Sequence, residues 1–132
     1  MEQEVSHKVL EEMFGIQDKS TRFMASLNYD EHISKNLMML LFHLRLYRHM
    51  KITEIAEAFM LTPGAATNMC DKLEELDYVE RVRIKDDRRV VRVSLTKKGE
   101  QKVESIFVKY SQAELEHISK VLAEINVLFS KL

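Results

Sequence analysis

The spacing of apolar residues changes along this chain, and that change constrains the fold more than any other feature. Up to about residue 76, apolar side chains recur every three to four residues, which is typical of amphipathic helices. Over Tyr78–Leu95 they alternate with polar residues, mainly arginines, which predicts two strands of a hairpin. Helical spacing then returns. The sequence therefore predicts a mostly α fold with one small β-hairpin.

Three helices are predicted in the first half of the chain. The first covers about residues 4–26 and ends at a break over residues 28–30. The second covers residues 33–47 and is apolar enough to be buried on most sides. Thr53 is the expected N-cap of a short third helix that stops near Met60.

Capping residues predict the other three helices. Thr62 caps the fourth, about residues 63–76, and Pro63 occupies its first position, where the missing N–H costs nothing. Thr96 caps the fifth helix after the hairpin. Ser111 and Glu114 have the spacing of a capping box and begin a sixth helix that runs to the end of the chain.

Length and composition limit the class of protein. At 132 residues, the chain is predicted to form a single domain with a substantial core. Its one cysteine, Cys70, excludes an internal disulfide. The longest apolar run, residues 37–44, contains His43 and is far shorter than the ~20 residues that span a bilayer. With no secretory signal evident, we expect a cytoplasmic protein without a membrane partner.

The formal net charge of −1 hides a strong asymmetry along the sequence. Residues 1–33 carry three basic and seven acidic side chains, whereas residues 78–98 carry eight basic and three acidic ones. A basic patch on a nearly neutral protein is typical of a surface that binds phosphate. The alternative is a solvated, arginine-rich hairpin without a partner.

The order of elements predicts a winged helix-turn-helix. A short helix, a turn at residues 61–62, a second helix and a basic hairpin follow one another, and the second helix can lie in a major groove about 12 Å wide. The outward face of that helix carries Gly64, Ala65, Thr67, Asn68, Asp71 and Lys72. Small residues at its N-terminal end would let it approach the bases closely.

Residues 52–99 resemble the MarR family of bacterial transcriptional regulators. The resemblance rests on the order and spacing of several stretches, while the rest of the chain matches only as helical pattern. The stretches are Ile52-Thr53-Glu54-Ile55-Ala56, Leu61-Thr62-Pro63-Gly64-Ala65-Ala66-Thr67, Asp71-Lys72-Leu73-Glu74, Tyr78-Val79-Glu80-Arg81, Asp86-Asp87-Arg88-Arg89 and Val93-Ser94-Leu95-Thr96-Lys97-Lys98-Gly99.

The resemblance implies a homodimeric repressor that binds a pseudo-palindromic, double-stranded DNA operator and is released by a small ligand or by oxidation. The winged helix-turn-helix would cover about residues 33–96, and dimerisation helices over about residues 1–30 and 97–132 would flank it. Asn68 departs from the family pattern, where an arginine is common. An asparagine can bond bidentately to adenine.

The resemblance also implies which residues contact DNA. Those facing the major groove would be Thr62, Pro63, Gly64, Ala65, Thr67 and Asn68, with Lys72 on the same helix. Arg89 would enter the minor groove and Asp87 would hold it, while Lys85, Arg88, Arg83 and Arg92 would contact phosphates. The alternative for Asp87 and Arg89 is an ordinary salt bridge in a turn.

Other residue types leave weaker alternatives. Phe14, Phe42, Tyr47, Phe107 and Tyr110 could line an apolar pocket for a small hydrophobic effector, or could simply belong to the core. Cys70 lies on the inner seam of the fourth helix and is predicted to be a buried, inert thiol.

Enzymatic and metal-dependent functions have no support in the sequence. The histidines have no metal-ligand spacing, so neither a metal nor a cofactor is expected. No nucleophile elbow or phosphate-binding loop occurs, which argues against an enzyme. The stronger rival to a DNA-binding regulator is a winged-helix module that docks onto another protein.

Overall fold

The computed structural model describes residues 1–27, 32–83 and 89–132. Within these ranges the chain forms six helices and one small antiparallel sheet, as the apolar spacing predicts. The elements are α1 (Glu2–Leu27), α2 (Lys35–Tyr47), β1 (His49–Lys51), α3 (Ile52–Ala58), α4 (Pro63–Glu75), β2 (Val79–Arg83), β3 (Val91–Leu95), α5 (Lys97–Phe107) and α6 (Gln112–Phe129). The predicted break at residues 28–30 lies outside the described residues.

Most of the predicted helix caps are confirmed. The side-chain oxygens of Thr62, Thr96 and Ser111 each accept a hydrogen bond from a backbone N–H three residues on, at 3.0–3.1 Å. The prediction that Thr53 caps α3 is wrong, because the helix begins one residue before it, at Ile52. Lys51 is the N-cap, and its backbone N–H donates to the Glu54 carboxylate at 3.0 Å. The helix can start there because Lys51 ends a strand and is already extended.

That strand, β1, makes the sheet larger than the predicted hairpin. The strand order is β1-β3-β2, and both pairings are antiparallel. Val93, at the centre of β3, pairs with Met50 on one side and Arg81 on the other, and is completely buried. The hairpin is therefore anchored through β3 to the segment between α2 and α3.

The core is built around α2, as its apolar sequence predicts. Five residues of this helix are buried, and they pack with residues from the other central elements. Ile55, Cys70, Leu73 and Val93 are fully buried in the same cluster. In the helix-turn-helix, α3 packs against α4, and α4 contacts β2. The core thus fixes α4 and the hairpin on one scaffold.

The two long terminal helices differ from the rest, because neither α1 nor α6 contributes a buried residue. Both carry apolar side chains that are about half exposed. On α1 these include Val9, Leu10, Met13 and Ile16, and on α6 they include Leu122, Ile125, Leu128 and Phe129. An apolar surface of this extent is unusual for a protein without a partner on it.

Helix α4 ends in a Schellman motif with an aspartate at its left-handed position. The N–H of Asp77 donates to the Glu74 carbonyl at 2.9 Å, and that of Tyr78 donates to the Leu73 carbonyl at 3.0 Å. Asp77 has φ 64°, a conformation that favours glycine. The turn reverses the chain, so that β2 runs back alongside α4.

Asp77→Gly is expected to stabilise the fold by about 0.5–1 kcal/mol, because glycine adopts this backbone conformation without a Cβ penalty. The hydrogen bond from Thr96 Oγ1 to the Asp77 carbonyl, 2.6 Å long, uses only the backbone of residue 77 and is retained. Urea denaturation measures the change. The matched control, Glu75→Gly inside α4, should lose up to about 1 kcal/mol. Equal losses in both variants would contradict this account.

Candidate nucleic-acid interface

The N-terminal end of α4 presents most of the predicted major-groove residues to solvent. Thr62, Pro63, Gly64, Asn68 and Lys72 are exposed, while Ala65 and Thr67 are half-buried. The opposite face of the helix is held in the core by Ala66, Cys70 and Leu73. The structure therefore brings the predicted residues together on one accessible face of a rigidly packed helix.

Gly64 is open to solvent at the first turn of α4. A Cβ built at this position would meet nothing within 4 Å, so the fold places no steric demand on the glycine. Glycine in a helix is less stable than alanine by up to about 1 kcal/mol. A helix N-terminus that presents no side chain here allows another molecule to approach the backbone N–H groups closely.

The basic hairpin lies next to this helix, but the structure describes only part of it. Arg83 and Arg89 are exposed, and Arg92 is half-buried on the central strand, opposite Lys51 and Val82. One guanidinium nitrogen of Arg92 is buried without a hydrogen-bond partner among the described residues. Lys85, Asp87 and Arg88 lie outside the described residues, so the pairing of Asp87 with Arg89 stays a prediction.

An ion-pair cluster links the hairpin to α4, and the sequence analysis missed it. Arg81 on β2 donates from Nη1 to Glu74 Oε1 and from Nη2 to Asp71 Oδ1, both at 2.7 Å. The hydrogen bond to Asp71, together with that to Glu74, raises the pKa of Arg81 above its already high ordinary value. The i, i+3 spacing of the two acids is the one signal in the sequence, since it puts both on the same side of α4, but it does not give their distance from Arg81.

Cys70 lies on the inner face of α4 and is completely buried, as predicted. Burial raises the pKa of its thiol to about 11, and the nearby Arg81 guanidinium offsets only part of that effect. Since the ordinary value is 9.0, the neutral thiol stabilises the native state below pH 9.0. This contribution is lost as the pH rises from 9.0 towards 11.

Cys70 is therefore expected to react with a thiol reagent about a hundredfold more slowly at pH 8 in the native protein than after denaturation, because its thiolate is scarce and shielded. The measurement is thiol labelling with and without denaturant. The chain has one cysteine, so the denatured sample serves as its own full-reaction control. Rapid labelling of the native protein would contradict an inert thiol.

The five aromatic residues predicted for a pocket are spread over several elements. Phe42 and Phe107 pack together, with ring centroids 5.9 Å apart. Phe14 and Tyr47 are 65% and 57% exposed, and Tyr110 is half-buried. A cavity of about 780 Å³ lies between α1 and α6, and none of the five lines it. Its walls include Phe23, Met24, Ile118, Val121, Leu122 and Ile125.

Among the described residues, no group of three or more histidine, cysteine, aspartate or glutamate side chains could hold a metal ion. None of the helices described is both long and apolar enough to cross a membrane.

Sequence comparisons identify similar proteins. A family model described as the MarR family matches residues 33–91. The chain is 36% identical over 69 residues to the HTH-type transcriptional repressor MdtR of Bacillus subtilis (strain 168), covering 52% of this chain and 44% of MdtR. It is 32% identical over 114 residues to YpoP, an uncharacterized HTH-type transcriptional regulator of the same strain, covering 78% of this chain and 76% of YpoP. The match thus spans under half of MdtR and about three quarters of YpoP.

Solved structures share the fold over most of the chain. A MepR like protein complexed with pseudoligands has a TM-score of 0.59 at 28% identity, covering 94% of this chain and 90% of that one. Wild-type MarR from E. coli has a TM-score of 0.67 at 22% identity, covering 92% and 93%. A MarR mutant from E. coli complexed with operator DNA has 0.58 at 20% identity, covering 87% and 91%. The last two likenesses show the fold alone.

Proposed function

Because this chain belongs to the MarR family of DNA-binding transcriptional regulators, we propose that it acts as a homodimeric repressor that binds a pseudo-palindromic operator. The observation that carries the proposal is the exposed, capped N-terminus of α4, open at Gly64, on a helix that also contacts the basic hairpin. The similarity to MdtR, named a transcriptional repressor, supports the direction of regulation.

In the proposed complex, α4 lies in the major groove and the hairpin reaches the minor groove. Asn68 is an exposed side chain on α4 that can read a base, and an asparagine bonds adenine through its N6 and N7 atoms. Arg89 enters the minor groove, oriented by Asp87. The position of the protein on the duplex is set by side-chain contacts to the DNA phosphates. These come from Lys72, Arg83, Lys85, Arg88 and Arg92.

The proposed partner of the terminal helices is a second copy of the chain. The apolar faces of α1 and α6 flank the 780 Å³ cavity and carry no buried residue of their own. A two-fold dimer would bury the same patch on both subunits and place two α4 helices for two half-sites. Light scattering tests this step, since a monomer at micromolar concentration would contradict it.

A small hydrophobic effector is the last part of the proposal. The contact between Phe42 of α2 and Phe107 of α5 supplies aromatic surface at the edge of the core. A MepR like protein with a similar fold has been solved with pseudoligands. Release of bound DNA by an aromatic small molecule supports this part, and a panel that leaves DNA affinity unchanged contradicts it.

Arg89→Ala is expected to weaken DNA binding at least tenfold, or about 1.4 kcal/mol, because the minor-groove contact is lost. Arg89 is exposed, so the fold should be unaffected. The measurement is an equilibrium titration with an operator sequence obtained by selecting bound DNA from a random pool. Arg22→Ala is the control, since Arg22 lies on α1 and pairs there with Asp18 at 3.2 Å. Equal affinity of wild type and Arg89→Ala would contradict the proposed role of the basic hairpin, the wing of the winged helix-turn-helix.

Selection of bound sequences from a random pool of double-stranded DNA tests the function as a whole. Enrichment of a palindrome with half-sites about one helical turn apart supports a dimeric regulator. Failure to enrich any sequence would contradict DNA readout and favour the docking module, whose partner would be another protein.

A further inference from the structure

Arg81 joins the basic hairpin to α4, the proposed recognition helix, through side-chain contacts. Its guanidinium lies between two carboxylates of α4, with one nitrogen 2.7 Å from Asp71 Oδ1 and the other 2.7 Å from Glu74 Oε1. The planar fork of arginine fixes both directions at once, which a lysine cannot do. The two hydrogen bonds therefore tie β2 to two successive turns of α4.

Stability alone does not explain this arrangement. The side chains of Asp71 and Glu74 are 53% and 45% exposed, and that of Arg81 is 31% exposed. Ion pairs at such exposure contribute little to the free energy of unfolding. Backbone hydrogen bonds pair β2 with β3 and form the Schellman turn at the end of α4, whereas the Arg81 cluster ties the side of β2 to the side of α4. The cluster can therefore serve orientation with little effect on folding.

The charges of the Arg81 cluster also support a role in DNA binding. Asp71 is an outward residue of α4, and Glu74 lies one turn further along the same helix. Unpaired, these two carboxylates would repel DNA phosphates beside the proposed contact face. Arg81 offsets much of that charge locally, since its guanidinium is protonated and hydrogen-bonded to both carboxylates.

We propose that Arg81 is a positioning residue that holds the wing and the recognition helix at one relative orientation, so that both engage DNA at the same time. The inference rests on the proposed DNA-binding function and deepens it. It assigns Arg81 no contact with DNA, and it makes Asp71 and Glu74 favourable for binding although they are acidic.

The sign of one mutational effect separates this role from simple electrostatics. The double variant Asp71→Asn/Glu74→Gln removes two negative charges near the DNA, so simple electrostatics predicts tighter binding. The positioning role predicts binding about tenfold weaker. Glu75→Gln is the matched control, since it removes an exposed negative charge from the same helix outside the cluster, and its affinity should not fall.

Arg81 itself is tested with two further variants. Arg81→Lys keeps the charge but loses the fork, and should weaken binding about tenfold with an unchanged slope of log affinity against log salt. Arg81→Met in the Asp71→Asn/Glu74→Gln background should add no further loss. A slope reduced by about 0.9 in Arg81→Met would identify a direct phosphate contact and overturn the proposal.

Hydrogen exchange in the free protein provides a readout that does not depend on DNA. The amides of β2 and β3 should exchange faster in Asp71→Asn/Glu74→Gln than in wild type or Glu75→Gln, with the thermal midpoint nearly unchanged. A double variant whose DNA affinity and amide exchange rates equal those of the wild type would overturn the positioning role. Faster exchange in a protein that binds no DNA would instead overturn the proposed function and leave the orienting contact standing.

Discussion

Gly99→Ala is expected to destabilise the fold by about 3 kcal/mol, the largest effect on stability among the substitutions considered. Gly99 is buried in the first turn of α5, where a Cβ would overlap the carbonyl oxygen of Tyr78 and lie 3.1 Å from Leu95 Cδ2. The Tyr78 carbonyl cannot easily shift, because it accepts the Thr96 N–H at 3.0 Å. The junction between α4, β3 and α5 would have to open.

Urea denaturation followed by circular dichroism measures this loss. Gly64→Ala is the matched control, because the same methyl group meets nothing within 4 Å at that position. The control should be as stable as wild type or more stable by up to about 1 kcal/mol. Unfolding midpoints that agree between Gly99→Ala and wild type would contradict the close packing of α5 on the turn.

Gly64→Leu is expected to weaken DNA binding by about a hundredfold, or about 2.7 kcal/mol, without lowering stability. A Cβ at this position meets nothing within 4 Å in the free protein, so we expect the leucine side chain to extend into solvent and to clash with a bound partner. In the proposed complex that partner is the DNA at the N-terminus of α4. Equilibrium titration with the selected operator gives the affinity, and thermal unfolding gives the stability.

The variants Gly64→Ala and Gly64→Leu separate a steric effect from a change in helix stability, because both remove the glycine but only leucine adds a large side chain. Alanine adds one methyl group and should cost less affinity than leucine. Full DNA affinity in Gly64→Leu would contradict the placement of this end of α4 against the DNA, whatever the behaviour of the wing.

Local signals explain why most of the fold could be predicted from the sequence. Caps such as Thr62 and Ser111 act on N–H groups three residues away, so they are visible in a short window. Strand β1 was missed because three residues are too few to show alternation. Its existence depends on pairing with β3, more than forty residues later in the chain, which no local pattern reveals.

In the candidate site, too, local patterns predict some features, whereas others depend on tertiary packing. The exposed face of α4 follows from helical periodicity, so Gly64 and Asn68 could be placed on it in advance. The Arg81 cluster depends on how the turn at Asp77 folds β2 back along α4, and no short-range rule gives that angle. The aromatic residues predicted for a pocket were chosen by type, whereas the cavity between α1 and α6 depends on how those helices pack.

The most direct test of DNA binding by α4 and the wing is the affinity of the wild-type protein for its selected palindrome and for a scrambled duplex at 50 and 200 mM salt. Neutralisation of phosphates by the basic hairpin predicts that affinity falls by about a thousandfold or more over this range. The palindrome should bind at least about a thousandfold more tightly than the scrambled duplex at the same salt concentration. Equal, weak affinities for the two duplexes with little dependence on salt would contradict the account.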